Sequence, residues 1–172
     1  MNTYRYGLKN CYYCIKGEST PKRLPGAVAL NLTANVDIIT RTTSDGIEIP
    51  VSVDDKGYDG SLELATIPET FLSDIMGIYR DDNNVMCRGR HKIKLFTLLF
   101  ETKGSKKIRY SLQSCYCNVP DFETSTEEEK PSIAVEKIGI KVIPYPCNNT
   151  IIKAISERDN PAVYQDWFKK IY

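Results

Sequence analysis

The chain has 172 residues, with 23 basic and 22 acidic side chains and a formal net charge of +1. This length fits one domain with a hydrophobic core, and the balanced charge argues against a general electrostatic grip on nucleic acid. No apolar run approaches the roughly 20 residues of a membrane helix, and the amino terminus has no signal-like apolar segment. We therefore expect no membrane segment, a cytosol-like compartment and six reduced cysteines.

Strand-like segments dominate the amino-terminal part of the chain. Residues 8–17 are predicted as a first strand and residues 27–36 as a second. In the second segment Val28, Leu30 and Leu32 alternate with small or polar residues, which is the pattern of a strand with one buried face. Both segments are therefore predicted to be half buried.

The segment that follows carries mixed signals. The apolar residues of IEIPVSV alternate as they do in a strand, but Pro50 lacks the backbone donor that a central strand needs. Gly46 stands in a turn-like run just before it. We predict that residues 37–60 form a long loop that projects from the sheet.

In the middle of the chain a strand pattern changes to a helix pattern. Leu62 and Leu64 alternate with polar residues, as in a half-buried strand. Thr66 and Glu69 have the spacing of a capping box, and Gly77 suits a left-handed helix end. A helix is predicted over residues 67–76, with an apolar stripe made of Phe71, Leu72, Ile75 and Met76.

The remaining segments predict more antiparallel strands and a short final helix. The two long apolar runs around the KGS turn predict a hairpin over residues 91–119, and residues 132–145 predict a further strand. Asn160 before Pro161 has the form of a helix start. The predicted fold is therefore mainly β, a β-sandwich or open barrel of six to eight strands with one packed helix and a long loop.

A search for catalytic and metal-binding patterns finds few candidates. The one histidine, His91, has no cysteine or carboxylate at ligand spacing, and no nucleotide, hydrolase or metalloprotease motif is present. We expect no catalytic residue, no cofactor and no enzymatic activity. The acidic TEEEK run is expected to be a solvated loop, and the basic KGSKK and CRGRHK clusters are expected to aid solubility rather than bind phosphates.

Two cysteine pairs offer a possible zinc site made of Cys11, Cys14, Cys115 and Cys117. On an extended strand Cys11 and Cys14 point to opposite faces, because their spacing is odd. Buried apolar thiols are the favoured interpretation, and zinc and a disulfide remain as alternatives.

Tyrosine is abundant, with 11 residues in the chain. Aromatic side chains outside a core are typical of protein interfaces, and a β-rich chain with open edges favours self-association. The predicted inter-subunit contacts combine aromatic residues near the two ends with residues of the projecting loop. They are Tyr4, Tyr6, Tyr12, Tyr13, Thr43, Asp45, Ile47, Ile49, Val51, Tyr58, Tyr164 and Trp167.

Five ordered blocks of the sequence resemble the major tail protein, or tail tube, family of long, non-contractile (siphovirus-type) phage tails and related prophages. The blocks are residues 6–14, 24–32, 57–77, 96–117 and 164–168. The matching positions are structural: Tyr58, Gly60, Leu62, Glu63, Pro68, Phe71, Asp74 and Gly77. The chain departs from the family pattern at Cys11, Cys14 and Cys117, and residues 80–92 are unmatched.

The resemblance implies two packed antiparallel sheets flanked by one helix. It implies a single tail-tube domain over residues 1–172, with an amino-terminal arm, a stacking loop at 37–60 and a carboxyl-terminal segment at 146–172. It implies hexameric rings that stack into a tube, assembled in the host cytoplasm and carried in the virion. Implied partners are further copies of the chain, the tape measure protein, the tail terminator and distal tail proteins, with DNA passing through the lumen without sequence-specific binding.

Two alternative functions remain open. The first is a ring or tube protein of a related secretion system or of a tail-derived bacteriocin. The second belongs to another class, a cysteine-rich binding module stabilised by zinc, which would lose its fold in the presence of a chelator.

Overall fold

The structure is a computed structural model that describes residues 6–90, 92–103, 107–118 and 135–172; of Tyr6 it describes the backbone. Most of these residues lie in strands, which confirms the predicted mainly-β class. The strands are β1 (Tyr6–Ile15), β2 (Lys22–Arg23), β3 (Ala27–Thr42), β4 (Glu48–Leu64), β5 (Ile78–Arg80), β6 (Met86–Arg88), β7 (Phe96–Lys103), β8 (Ile108–Cys117), β9 (Glu136–Val142) and β10 (Ile152–Ser156).

The strands form two antiparallel sheets, as predicted. The larger has eight strands in the order β2-β1-β7-β8-β9-β4-β3, with β10 paired to β8, and the smaller consists of β5 and β6. Strand β8 pairs with two strands in succession along one edge. Residues 108–112 pair with β10, and residues 115–117 pair with β9. Strands β1 and β3, from opposite ends of the order, approach within 8 Å between Cα atoms, so the sheet curls into a partly closed barrel.

One apolar core fills the barrel, and the predicted alternation explains which residues enter it. Leu62 and Leu64 of β4 are buried, as are Ile138, Ile140 and Val142 of β9, while the residues that alternate with them are more exposed. Strand β7 is buried on both faces, as its double apolar pattern predicts. Its inward residues join this core, and Leu99, on its outward face, is also buried.

A β-bulge in β1 changes which residues face the core. Lys9 pairs with Glu101 and Tyr12 with Leu99, so β1 has one extra residue between these pairs. Asn10 takes φ +50°, a left-handed conformation that asparagine tolerates better than most residues. The extra residue shifts the alternation, and it places Tyr13 in the core.

The predicted central helix is present but is shorter and of mixed type. One α-helical turn, Glu69–Phe71, continues as a π-helical segment, Leu72–Met76, and together they are referred to as α1. Phe71 is buried in the core, and Gly77 ends the helix at φ +69°, as predicted. The predicted capping box is wrong. The Thr66 hydroxyl donates to the Ala65 carbonyl instead, and Glu69 pairs with Arg80.

The carboxyl-terminal helix α2 (Pro161–Asp166) covers the outward face of β7 and β8. Its start is as predicted, since the Val163 N–H donates to the Asn160 side chain at 3.2 Å. The Trp167 indole N–H donates to the Tyr110 carbonyl at 3.3 Å. The chain end is therefore packed against the barrel.

The segment predicted as a projecting loop at residues 37–60 is corrected by the structure. It projects, but it is regular β-structure, because β3 and β4 stay paired up to Thr42 and Glu48. Pro50 is accommodated in β4 because β9 pairs with that strand over residues 58–64 alone.

Candidate subunit-contact surface

Strands β3 and β4 form a hairpin whose outer half extends beyond the rest of the sheet. Residues 58–64 of β4 pair with both β3 and β9, whereas residues 48–55 pair with β3 alone. The two-stranded part, residues 36–42 of β3 and 48–55 of β4, is referred to as the ribbon. At about 3.3 Å per residue the β3 part of the ribbon is about 23 Å long.

A closed turn holds the tip of the ribbon. The Thr43 N–H donates to the Ile47 carbonyl at 2.9 Å, and the Ile47 N–H donates to the Thr43 hydroxyl at 3.3 Å. Gly46 takes φ +76°, which glycine adopts without steric cost. The turn is held by its own backbone, so its apolar side chains are not needed to close it.

The ribbon has an apolar side and a charged side. Residues opposite one another in an antiparallel pair point to the same side, so Ile38 and Val53 share one side. Asp37 and Asp54 share the other, where the Lys56 ammonium forms ion pairs with both. The Ile38–Val53 pair therefore lies on the side opposite these ion pairs, a side it shares with the acidic residues Asp55 and Glu48.

Exposed apolar side chains are concentrated in the ribbon and its turn. Each has between 40% and 63% of its surface exposed. They are Val36, Ile38, Ile39, Ile47, Ile49, Val51 and Val53.

Four of these residues, Val36, Ile38, Ile39 and Val53, are absent from the contact set predicted from sequence. The signal that could have found them is the continuation of the β3 apolar pattern through Ile38. The assignment of a loop from residue 37 onwards hid that pattern.

Both long edges of the ribbon are open within the described chain. Strand β3 has no partner on its outer edge, and residues 48–55 of β4 have none opposite β3. Open edges offer unpaired N–H and C=O groups to another chain. The ribbon therefore combines apolar side chains with free backbone groups.

A glycine at the base of the ribbon allows the backbone to approach the end of strand β9 closely. The register of β3 and β4 shifts by one residue between the Ala34 and Val36 pairs, and Gly57 lies in this bulge at φ +93°. A Cβ atom there would lie 1.9 Å from the Val142 carbonyl oxygen. The close approach anchors the base of the ribbon to the end of β9.

A groove of about 630 Å³ opens beside the base of the ribbon. Val28 and Leu32 of β3 line one wall, and Ile152 of β10 and Leu8 of β1 belong to the other strands that surround it. None of the lining side chains is charged. The groove therefore lies where the two ends of the curled sheet meet without closing.

The structure separates the predicted contact residues into several groups. Thr43, Asp45, Ile47, Ile49 and Val51 lie in the ribbon or its turn, and of these Thr43 is half buried. Tyr58 is half buried and lines the groove, and half-buried Tyr12 stacks on Phe168 at 4.8 Å between ring centroids. Tyr4 and the Tyr6 side chain lie outside the described residues.

Three of the predicted contact residues belong to the interior of the subunit. Tyr13 is fully buried, and Tyr164 and Trp167 are 5% and 4% exposed. Their rings fill the core or pack beneath the chain end, which leaves no surface for a partner. We therefore remove these three from the contact set.

Tyr13 also takes part in a polar contact at the edge of the core. Its hydroxyl donates to Asp74 at 2.9 Å, and Lys22 Nζ donates to the same carboxylate oxygen at 2.8 Å. Burial and the bond to Asp74 raise the pKa of Tyr13 to about 12. The contact ties α1 to β1 and β2.

A buried ion pair lies under the carboxyl-terminal helix. Arg109 Nε donates to Glu101 at 3.0 Å, and Glu101 is 6% exposed. The guanidinium lies 3.8 Å from the Tyr164 ring centroid and donates to the Tyr164 carbonyl. This contact was not predicted, and it fastens α2 to the sheet.

The four-cysteine zinc site is not assembled. Cys11, Cys115 and Cys117 belong to the core, whereas Cys14 lies on the other face of β1 and donates to the Glu18 carbonyl at 3.3 Å. Burial raises the pKa of Cys11 and of Cys117 to about 12, so both are neutral thiols near pH 7. The favoured interpretation, buried apolar cysteines, is confirmed.

The other predicted polar features give no assembled site. His91, residues 104–106 of the KGSKK cluster and the TEEEK run lie outside the described residues. Arg88, Arg90 and Lys92 are exposed. Among the described residues, no group of three or more His, Cys, Asp or Glu side chains is placed to hold a metal ion. No described helix is long and apolar enough to cross a membrane.

Comparisons with known proteins give a weak structural likeness. No protein-family model matches the chain, and no curated protein matches it. One similar solved structure is the cryo-EM structure of the anti-feeding prophage cap, described as a tube terminating cap. It is 12% identical and covers 91% of this chain and 94% of its own, with a TM-score of 0.40. A likeness at that score is too weak to assign a function.

Proposed function

We propose that the chain is a structural subunit of a phage-type tail tube, with no enzymatic activity. The observation that carries this proposal is the ribbon. Its seven exposed apolar side chains and two open edges form a surface that soluble proteins normally cover. Covering it with other copies of the same chain removes the exposed edges and gives a repeating assembly.

The finer details of the proposal come from the five sequence blocks that resemble the tail tube family. By that resemblance six copies form a ring, rings stack into a tube, and the ribbon contacts the adjacent ring. The tube would surround the tape measure protein, end at a terminator and later conduct DNA. The formal net charge of +1 is compatible with a lumen that does not hold DNA tightly.

Packing within the subunit supports a protein that is stable before it assembles. The core is filled from both ends of the curled sheet, and the chain end is fastened by the Arg109 and Trp167 contacts. The exposed apolar side chains of the ribbon are therefore not needed for folding. They remain free for contacts between subunits.

The test is the native mass of the purified chain across a concentration series, by light scattering, with negative-stain images of the same samples. We expect mass to rise with concentration and six-fold rings or tubes to appear. A single monomeric species at every concentration, also after long incubation with a tail initiator fraction, would contradict the proposal.

A further inference from the structure

The groove opens beside the first described residues of the chain. Gly7 and Leu8 line it, and they belong to β1, which begins at Tyr6. The residues that precede β1 therefore join the described chain at the rim of the groove. Residues 1–5, which lie outside the described residues, are referred to as the leading segment.

The pairing of β1 brings the leading segment towards β3. Tyr12 pairs with Arg23, and the Leu24 N–H donates to the Cys11 carbonyl at 2.8 Å, so β1 is antiparallel to the chain that leads into β3. Strand β3 follows a few residues later, and it approaches β1 within 8 Å between Cα atoms. In this antiparallel order, the residues before Tyr6 fall beside the part of β3 that follows its first residues.

The groove and the adjoining strand edge have the form of a site for one extended segment. The outer edge of β3 is unpaired among the described strands, and Val28 and Ile152, which line the groove, are 50% and 37% exposed. Val28 and Leu32, both in the wall formed by β3, are four residues apart, or about 13 Å along the strand. Five extended residues reach about 17 Å, so the leading segment is long enough to span this wall.

The leading segment matches the groove on one side. None of the described residues that line the groove is charged, and Tyr58, Phe100 and Tyr110 supply aromatic rings to it. In an extended segment Tyr4 and Arg5 point to opposite sides. An aromatic ring is suited to this lining, whereas a guanidinium buried there without a partner would be costly.

We propose that the groove is occupied by the leading segment of the same chain, which adds a strand to the outer edge of β3 and places Tyr4 against the aromatic lining. Arg5 stays at the surface. The segment covers Val28 and Ile152 and fills the gap between the two ends of the curled sheet. The groove is then a contact within the subunit, and Tyr4 moves from the predicted contacts between subunits to the subunit interior.

The test compares two variants of neighbouring residues. Tyr4→Ser removes the ring that fills the groove, and Arg5→Ser is the matched control, because it changes the side chain that stays in solvent. The measurement is amide hydrogen exchange of the full chain by mass spectrometry, at a concentration where sedimentation velocity shows the smallest species. We expect residues 28–34 of β3 to exchange about 10-fold faster in Tyr4→Ser than in the wild type, and less than about 2-fold faster in Arg5→Ser.

Methyl NMR identifies which copy of the chain supplies the ring. In wild-type chain with ¹³C-labelled Ile, Leu and Val methyl groups, we expect nuclear Overhauser contacts from the Tyr4 ring to the methyl groups of Leu32 or Ile152. These contacts should be absent in labelled Tyr4→Ser. They should stay absent when labelled Tyr4→Ser is refolded from urea in a 1:1 mixture with unlabelled wild type, because each ring remains in its own subunit.

The outcomes separate this inference from the proposed function. Equal exchange in Tyr4→Ser and the wild type, or equal effects of the two substitutions, would overturn the inference and leave the tube proposal standing. Contacts in the refolded mixture would assign the groove to a neighbouring copy, which also overturns it. The tube proposal is tested by assembly alone, and a chain that never assembles should still show the expected exchange and contacts.

Discussion

Ile38 of β3 lies directly opposite Val53 of β4, and the two residues are 61% and 62% exposed. Two large apolar residues that meet across a strand pair and still face solvent on one side are poorly placed for the stability of a monomer. They are well placed to be buried by another subunit.

Replacing this pair should prevent assembly without unfolding the subunit. Burial of each side chain contributes about 2 kcal/mol, so Ile38→Asp with Val53→Asp should weaken subunit association on the order of 1,000-fold. The measurement is sedimentation velocity across a concentration series. Ile39→Asp, on the charged side of the ribbon, is the control and should have a smaller effect. If both variants lost the same amount of association affinity, the apolar side would have no special role in assembly.

Gly57→Ala should destabilise the fold at the base of the ribbon. The new Cβ atom would meet the Val142 carbonyl oxygen at 1.9 Å, and the residue would be held at φ +93°. We expect a loss of about 3 kcal/mol in the free energy of unfolding, measured in urea. Gly46→Ala is the control, because it has a similar φ of +76° but nothing within 4 Å, and it should cost about 1 kcal/mol. Equal losses of unfolding free energy in the two variants would show that the close approach of Gly57 to Val142 does not matter.

Arg109→Leu should be among the most damaging substitutions outside the barrel core. It leaves Glu101, 6% exposed, without its ionic partner, at a cost of about 3 to 5 kcal/mol. The double variant Arg109→Leu with Glu101→Leu should recover most of that loss, since no buried charge remains. Lys169→Leu, which removes an exposed pair, should leave the stability close to that of the wild type.

The one tryptophan of the chain provides a fluorescence signal for measuring the stability of these variants. Trp167 is 4% exposed and lies beneath the chain end, so its fluorescence reports whether α2 stays docked. A double variant less stable than Arg109→Leu alone would contradict the buried-pair argument.

The stability of α1 should depend on pH through Asp74. Burial alone would raise the pKa of Asp74, but hydrogen bonds from Lys22 and Tyr13 outweigh it and hold the pKa below its usual range. The folded-state pKa is then lower than the unfolded value of about 3.9, so the carboxylate stabilises the fold above about pH 4 and this contribution is lost below it.

Asp74→Asn should therefore be less stable than the wild type at pH 6. The difference should narrow as the pH falls from about 5 to about 3, as measured by urea unfolding at each pH. Asp166→Asn, in an exposed pair with Lys169, is the control and should give a smaller difference. A difference that stays constant with pH would contradict the role of the charged carboxylate.

The sequence predicts the interior of the barrel well because burial imposes a period of two. Alternation alone assigns Leu62 and Leu64 to the buried face of a strand, and both are buried. The end of α1 at Gly77 was likewise predicted from the residue type that a left-handed turn favours.

Features that depend on distant partners could not be predicted in this way. Residues 47–53 of the ribbon alternate as they do in a strand, but Pro50 gives a contrary signal, and the sequence does not show that β3 supplies the partner strand. The bulge at Asn10 shifts the pattern of β1 by one residue, which no period in the sequence reveals. The burial of Trp167 depends on which sheet face α2 covers.

Strand β4 runs without a break from the ribbon tip to the core, from Glu48 to Leu64. Its inner residues are bonded to β3 on one side and β9 on the other, with hydrogen bonds that lie across the strand direction. A pull along the ribbon therefore loads these bonds together in shear, instead of opening them one at a time. A filament joined through such elements would resist stretching by the combined strength of two strand ladders in every subunit.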